Sequence, residues 1–362
     1  MKKRFWVLLL AVIFLSSCTV YEYAEPKQYD NKDYTAETAG IRLEDDFYGY
    51  VNFDFLWNSA IPSDMHSYGT LEILSAETDE DITQEMIGIA ESNGIYPTNS
   101  DEQKIHDFYM QYIDTEAREK MGIKPIENAL LAIRNADNID EFIGVCGMLY
   151  LDYGCSVIVT PAVSEDIYNP EKYVLYFYPM DFVYTANELL YTANIDIEMQ
   201  KYIEETLTLY NSSDNRRAAY DTVTMLTEIA ESTSDISAME IKDIYNSYDN
   251  NSLNVLFGGA DTEKFKTAYG IGKVSTVIIP DILQAEKISI FLNDEYLDEW
   301  KSYAIFKLFS DYRDYLPSEY STLPEQPNMP IEKKAINAVK TELSEELGNI
   351  YEKKYYNASA AE

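Results

Sequence analysis

Apolar side chains recur at helical spacing along most of this chain, and that periodicity limits the fold more than its other properties do. Ser100 followed by Gln103 is typical of a capping box. The apolar residues after it stand at i, i+3, i+4, i+7 and i+8: Ile105, Phe108, Tyr109, Tyr112 and Ile113. Similar stripes predict helices at about 125–134, 139–150, 197–210, 218–231, 282–292, 294–315 and 331–355. The pattern predicts a mainly α, multi-helix domain.

Two short runs of β-branched and aromatic residues interrupt the helical pattern. They cover residues 155–160 and 173–178, each is followed by a proline, and a polar segment separates them. Runs of this kind, bounded by turn-forming residues, are typical of paired strands. We therefore expect a small β-hairpin near 155–178 inside a helical domain.

The residue counts exclude several classes of function. Acidic residues outnumber basic ones by 63 to 28, and the net charge is -35, so the chain lacks the basic surface that nucleic acids require. The 362 residues contain only two histidines, His66 and His106, and neither is followed by glutamate. Zinc hydrolase sites and His-based nucleophilic sites need clustered imidazoles. The sequence therefore nominates no catalytic residue and no metal ligand.

The first residues have the pattern of a secretory signal. Three cations precede an eleven-residue apolar run, Phe5 to Leu15, which is short for a membrane span. The following Leu15-Ser16-Ser17-Cys18 resembles the bacterial lipobox, in which the cysteine receives a lipid and becomes the new N-terminus. This resemblance implies a signal peptide at 1–17, a lipid on Cys18 and a tether at 18–43. It places the protein on the extracytoplasmic face of a bacterial cell membrane.

Two cysteines remain after Cys18, and their state is open from the sequence. Cys146 and Cys155 are separated by eight residues, so an oxidising location would allow a disulfide between them. Two buried, unpaired thiols are an equal alternative.

Several segments, in order and at similar spacing, resemble the neprilysin and endothelin-converting-enzyme family of zinc metallopeptidases. The first is residues 45–71, with Asp-Asp-Phe-Tyr, Tyr-Val-Asn, Ile-Pro and Tyr-Gly. The second is residues 104–126, and the third is Leu-Gly-Asn-Ile-Tyr at 347–351. The likeness extends over nearly all of 44–356. We therefore expect the N-terminal domain of such a peptidase.

This resemblance implies a division of the chain and an interface. It implies an entry strap at 44–63, a helical domain at 64–356 that walls a chamber for peptides, and a tail at 357–362 where a catalytic domain would begin. Part of the strap would pack on that catalytic domain through apolar residues: Phe47, Tyr48, Tyr50, Val51, Phe53, Phe55, Leu56 and Trp57. An alternative is that these side chains fold back onto the helical domain.

Two functions follow from this resemblance, besides the alternative that the chain is a decayed remnant with no activity. In the first, the chain is the membrane-anchored chamber half of a zinc metalloendopeptidase, inactive alone and dependent on a partner chain that carries the zinc. In the second, it is a non-catalytic lipoprotein that binds peptides or another surface protein. The family's zinc ligands belong to the other half, so no cofactor is expected in this chain, and peptides are the expected ligands in both cases.

Overall fold

The computed structural model describes residues 35–62, 65, 67–92, 95–211, 213–257, 261–320 and 329–355. Its residues form two compact units, the first made of 1–96 with 345–362 and the second of 97–344. This boundary lies between Tyr96 and Pro97, whereas the predicted end of the strap lies at residue 63. The predicted signal peptide, the predicted lipid attachment site Cys18 and the tail at 357–362 lie outside the described residues.

Most of the described chain is helical, as the apolar periodicity predicts. The α-helices, in chain order, are α1 (Phe47–Val51), α2 (Phe53–Asn58), α3 (Thr70–Ala90), α4 (Asp101–Ile113), α5 (Thr115–Met121), α6 (Lys124–Asn135), α7 (Ile139–Tyr153), α8 (Ala186–Tyr191), α9 (Ile195–Asn211), α10 (Arg216–Glu231), α11 (Ile241–Ile244), α12 (Asn250–Leu256), α13 (Thr262–Ala268), α14 (Ile282–Phe291), α15 (Leu297–Tyr312), α16 (Ile331–Glu342) and α17 (Ser344–Tyr355). The strands are β1 (Thr160–Asp166), β2 (Asn169–Tyr178), β3 (Ser247–Asp249) and β4 (Thr276–Ile278). Among these residues, no helix has both the length and the apolar character needed to cross a membrane.

Side-chain caps fix the helix boundaries that periodicity alone leaves open. Ser100 accepts a hydrogen bond from the Gln103 backbone N–H at 3.2 Å and begins α4, as predicted. Asp114 then accepts from the Ala117 N–H at 2.9 Å and begins α5, so the helix does not continue unbroken past Ile113. The predicted helix at 331–355 is likewise two helices, because Leu343 at the end of α16 leaves the helical conformation.

The predicted hairpin is present, but its first strand begins later than expected. β1 pairs antiparallel with β2 over Thr160↔Tyr178 to Asp166↔Asn169, and β4 and β3 extend the sheet in the order β1-β2-β4-β3. The apolar run at 155–159 lies before β1 and is buried without being a strand. The apolar run therefore marks a buried segment, and the strand begins only at Thr160, the last residue of the predicted run.

The second unit has one large hydrophobic core, in which α15 is central. Nearly every turn of α15 is buried, including Trp300, Tyr303 and Phe306, and the helix packs on α6, α9 and α10. A close helix contact adds to this core, because α7 packs on α13 at Gly147. A Cβ at Gly147 would lie 2.1 Å from the Ala268 carbonyl oxygen, so only glycine fits there.

The first unit contains the strap, α3 and all of α17 after its first residue. Met86, Ile89 and Ala90 are buried at the end of α3, and Leu347 and Ile350 are buried on α17. Lys354 of α17 forms an ion pair with Glu85 of α3. Residues 35–43, the last part of the predicted tether, lie in turns before the strap.

Candidate functional site

The strap at 44–63 exposes most of the apolar residues that the sequence nominates for an interface. Phe47 and Tyr48 are each 67% exposed. Val51, Leu56 and Trp57 are exposed as well, Tyr50 and Phe55 are half-buried, and Phe53 is buried. Soluble proteins seldom leave so many large apolar side chains together in solvent unless the surface has a partner.

Local interactions hold the strap in shape without covering it. Asp46 caps α1 by accepting a hydrogen bond from the Gly49 N–H at 2.8 Å. Phe53 and Trp57 stack one turn apart, with ring centroids 6.0 Å apart and planes within 9°. The strap is therefore two short, ordered helices whose outward apolar side chains remain accessible.

A second feature lies entirely in the second unit, where three pockets follow one side of α4. We call them together the α4 groove. The first pocket, of about 420 Å³, shares Phe108 and Gln111 with the second, of about 380 Å³. The second pocket shares Tyr112 and Tyr315 with the third, of about 330 Å³. The second pocket is in the size range of small-ligand sites and mostly apolar, as such sites are.

Aromatic rings from α4 and from the end of α15 form this second pocket, which we call the aromatic pocket. Tyr112 and Tyr315 meet edge to face at 5.6 Å, and Tyr312 meets Tyr315 at 6.2 Å. Phe108 lies one turn before Tyr112, with the centroids 6.3 Å apart. The remaining lining residues come from α4 to α6: Gln111, Asp114, Ala117, Arg118, Met121 and Pro125.

Two arginines that line the α4 groove form no ion pair among the described residues, which is unusual in so acidic a chain. The Arg118 guanidinium lies 5.3 Å from the Tyr112 ring centroid and donates to the Tyr112 carbonyl oxygen, but Arg118 has no ion-pair partner within the described residues. Arg313 lines the third pocket and is also unpaired among them. By contrast, the exposed Arg216 and Arg217 pair with carboxylates at 2.9 and 2.5 Å.

Burial and neighbouring acids keep the pocket tyrosines neutral. Burial raises the pKa of Tyr112 to about 12, and the nearby Asp314 carboxylate adds to the effect while Arg118 opposes it. The pKa of Tyr315 is raised for the same reasons, with burial as the largest cause and Glu342 and Asp314 after it. At neutral pH both rings therefore present hydroxyl groups, and the positive charge at the pocket comes from arginine.

Lys307 is a buried charged residue with a structural role. Lys307 is 5% exposed, and its Nζ donates to both oxygens of Asp311 at 2.8 and 2.9 Å, with Asp181 at 3.7 Å. Burial of the ammonium opposes the charged form, but Asp311 outweighs it and raises the pKa of Lys307. A buried ammonium held in this way stays protonated and does not act as a base.

Cys146 and Cys155 are free thiols in the structure, and both are buried. Burial raises the pKa of each thiol above its ordinary value, and for Cys155 the Asp311 carboxylate adds to the effect. Reactive cysteines are accessible and have lowered pKa values, so these two are packing residues of the core.

The described residues do not fit a zinc ion. No group of three or more histidine, cysteine, aspartate or glutamate side chains converges within the part of the chain that the structure describes. His106 is half-buried on α4, and its Nδ1 atom lies 3.1 Å from Oδ1 of Asp107. His66 lies outside the described residues.

Several solved structures share this fold, and two of those compared below are of a zinc metalloprotease. The open state of the zinc metalloprotease Zmp1 from Mycobacterium tuberculosis matches 88% of this chain and 52% of its own, at 19% identity and a TM-score of 0.73. Zmp1 in complex with an inhibitor matches 88% and 51%, at 19% identity and a TM-score of 0.70. PepO from Lactobacillus rhamnosis HN001 matches 88% and 52%, at 15% identity and a TM-score of 0.62. This chain spans about half the length of each.

The family follows from a sequence model as well as from the fold. The N-terminal model of Peptidase family M13 matches residues 43–362, which is most of the chain. A comparison with curated proteins gives no significant match. The chain therefore belongs to Peptidase family M13 and contains its N-terminal domain, as the strap and the closing Leu-Gly-Asn-Ile-Tyr segment predict.

The sequence did not predict the α4 groove. Tyr112 precedes Tyr312 and Tyr315 by about two hundred residues, and only the packing of α4 beside the end of α15 brings them together. A usable signal was the pair of tyrosines at 312 and 315, because their hydroxyl groups favour a helix end that is only partly buried.

Proposed function

We propose that this protein is the chamber half of a membrane-attached M13 metalloendopeptidase and that it cleaves peptides only together with a zinc-bearing catalytic domain. The family match over 43–362 and the exposed strap support the proposal. Zinc supplies a Lewis acid and an activated water in enzymes of this kind. Among the described residues, no group of three or more histidine, cysteine, aspartate or glutamate side chains converges, and the proposal assigns the zinc to a second, catalytic domain.

The exposed strap is the observation that carries the requirement for a partner. Phe47, Val51 and Leu56 are exposed. Burying a side chain of this kind contributes about 1.5–3 kcal/mol of free energy. A catalytic domain docked over the strap would recover part of this free energy. In this proposal, docking on the strap closes the chamber beside the zinc.

Attachment to the membrane is the second part of the proposal. The lipobox-like Leu-Ser-Ser-Cys at 15–18 supports lipidation of Cys18. With a net charge of -35, the protein is repelled by anionic headgroups, so the acyl chains alone would hold it there. Cys18→Ala should move the protein from the membrane fraction to the soluble fraction, while Cys146→Ala should not. Retention of the Cys18→Ala protein in membranes would contradict the anchor.

The partner requirement is tested by mixing purified proteins. A fluorogenic peptide is incubated with zinc and either this chain, an M13 catalytic domain from the same genome, or both. We expect cleavage by the mixture to exceed the summed rates of the separate proteins by at least about tenfold, because the chamber supplies substrate positioning. Equal rates with and without this chain would overturn the proposal.

The α4 groove favours a second function, a lipoprotein that binds peptides without cleaving them. Its three adjoining pockets form a ligand-sized surface that needs no catalytic domain. In the mixing experiment this function predicts peptide binding by the chain alone and no added cleavage with the catalytic domain.

A further inference from the structure

The aromatic pocket carries an inference about the peptides that this domain selects. It has a ring-lined floor, a volume of about 380 Å³ and one guanidinium at its edge. The floor is made of Phe108, Tyr112, Tyr312 and Tyr315. Such a floor fits a flat ring, since aromatic pairs prefer edge-to-face or offset contacts with centroids about 4.5–7 Å apart.

Arg118 adds a charge requirement to this shape. It is only half-exposed, its guanidinium is held against Tyr112, and it pairs with no carboxylate among the described residues. Asp114, the acid that lines the same pocket, is occupied as the cap of α5. In a chain with 63 acidic residues, an arginine fixed at an apolar pocket without an acid partner is suited to an anion from outside.

We propose that the aromatic pocket binds an aromatic side chain of a peptide and that Arg118 pairs with a carboxylate beside that side chain. The carboxylate is either the C-terminus of the peptide or an acidic side chain next to the ring. The choice of a peptide as ligand rests on the proposed function, whereas the ring and the carboxylate follow from the pocket. The pocket thus selects peptides by sequence through a site on the helical domain itself.

Four short peptides separate the contributions of the ring and of each carboxylate. Calorimetry with the full chain in detergent would compare Gly-Gly-Gly-Gly-Phe, its C-terminal amide, Gly-Gly-Asp-Phe-amide and Gly-Gly-Gly-Gly-Ala. We expect the free acid to bind at least about tenfold more tightly than its amide, and the alanine peptide to lose at least as much. If the Asp-Phe amide recovers the affinity, an acidic side chain serves as well as a C-terminus.

Two variants link the binding to the pocket. Arg118→Gln should weaken the free acid at least about tenfold and reduce its preference over the amide. Arg216→Gln, which removes an exposed arginine elsewhere in the same unit, is the matched control and should leave both unchanged. Ala117→Phe should fill the pocket while keeping Arg118, and it should abolish binding.

Several results would overturn the proposal. They are absence of binding by all four peptides, equal binding by the Arg118→Gln and native proteins, and unchanged binding by the Ala117→Phe protein. If Ala117→Phe instead blocks assembly with the catalytic domain and no peptide binds, the pocket is a protein docking site. These binding data need no catalytic domain, so they can fail while the mixing experiment still succeeds.

Discussion

The strap and helix α15 are both rich in apolar and aromatic residues, yet the structure treats them in opposite ways. On α15, Trp300, Tyr303 and Phe306 are fully buried. In the strap, Phe47 is 67% exposed and Trp57 is 52% exposed. The residue types are alike, so the difference lies in what surrounds them.

This difference separates residues that stabilise the domain from residues that are available to a partner. The α15 residues belong to a core built from helices of the same unit. The exposed strap residues have no such enclosure, and their apolar area is a cost that a docked surface would remove. Mutations in the two regions should therefore differ in which measurement they change, stability or assembly.

The largest loss of stability should follow Trp300→Ala. The Trp300 side chain is fully buried, and its Nε1–H donates to the Phe291 carbonyl oxygen at 3.0 Å. Removing it leaves a large cavity and leaves the Phe291 carbonyl oxygen with only the Asn293 N–H as a donor, and should lower the free energy of unfolding by about 3–5 kcal/mol. Urea denaturation would measure the change. Trp57→Ala is the matched strap variant, and an equal loss there would break the contrast between the two regions.

A comparable loss, of about 3 kcal/mol, should follow Asp311→Asn, because Lys307 would remain buried with only the more distant Asp181 carboxylate, at 3.7 Å. The matched control is Asp221→Asn, which breaks the exposed pair with Arg217 and should cost less than about 1 kcal/mol.

The Lys307–Asp311 pair also predicts that the stability of the protein depends on pH in the alkaline range. The pKa of Lys307 is raised in the folded state, so its contribution to stability is present below the ordinary lysine pKa and is lost as the pH rises through the raised value. The stabilities of the native and Asp311→Asn proteins should therefore converge above that pH. A constant difference between them from pH 8 to pH 12 would contradict the assignment.

Gly147→Ala should cost about 1–3 kcal/mol, because the added Cβ would meet the Ala268 carbonyl oxygen at 2.1 Å. Gly144→Ala lies on the same helix with nothing within 4 Å of its Cβ, and should stabilise the protein by up to about 1 kcal/mol. Thermal unfolding of the two variants should shift in opposite directions. Shifts of the same sign would mean that α7 and α13 are not in close contact.

Ser100→Ala should cost about 1 kcal/mol, since it removes the acceptor for the Gln103 N–H at the start of α4. Ser100→Asp retains an acceptor and should keep most of the stability. If chemical denaturation gives equal losses for both, the cap does not fix the start of this helix.

The smallest change in stability should come from Phe47→Ser combined with Leu56→Ser, within about 1 kcal/mol for two exposed sites. The same double variant should lose assembly with the catalytic domain in a pull-down. Tyr191→Ser, at an 80% exposed aromatic outside the strap, is the control for both measurements. Normal assembly of the strap variant with the catalytic domain would show that the strap is not part of the interface.

The sequence was most informative where the signal is local. The cap at Ser100 and the stripe after it predicted α4, and the family segments predicted the domain. It was less informative where local interactions decide, as at Asp114, whose side-chain cap begins a new helix directly after the apolar stripe ends at Ile113. The run at 155–160 was expected to be a strand because it is rich in β-branched residues and is followed by a proline, whereas 155–159 form a buried segment that leads into β1 at Thr160.

The candidate sites divide in the same way. The sequence shows that the strap is rich in apolar residues. It does not show that they are exposed, because exposure depends on the rest of the fold. The aromatic pocket depends on α4 meeting the end of α15, a contact between residues about two hundred positions apart. That Arg118 forms no ion pair among the described residues is equally a property of three-dimensional packing, since acids are abundant in the sequence.

The most direct test of the account is peptide cleavage by the purified chain with zinc, alone and with an M13 catalytic domain from the same genome. We expect no cleavage by this chain alone, cleavage by the mixture, and loss of that gain with the Phe47→Ser and Leu56→Ser double variant. Stoichiometric zinc binding and peptide cleavage by the chain alone would contradict it.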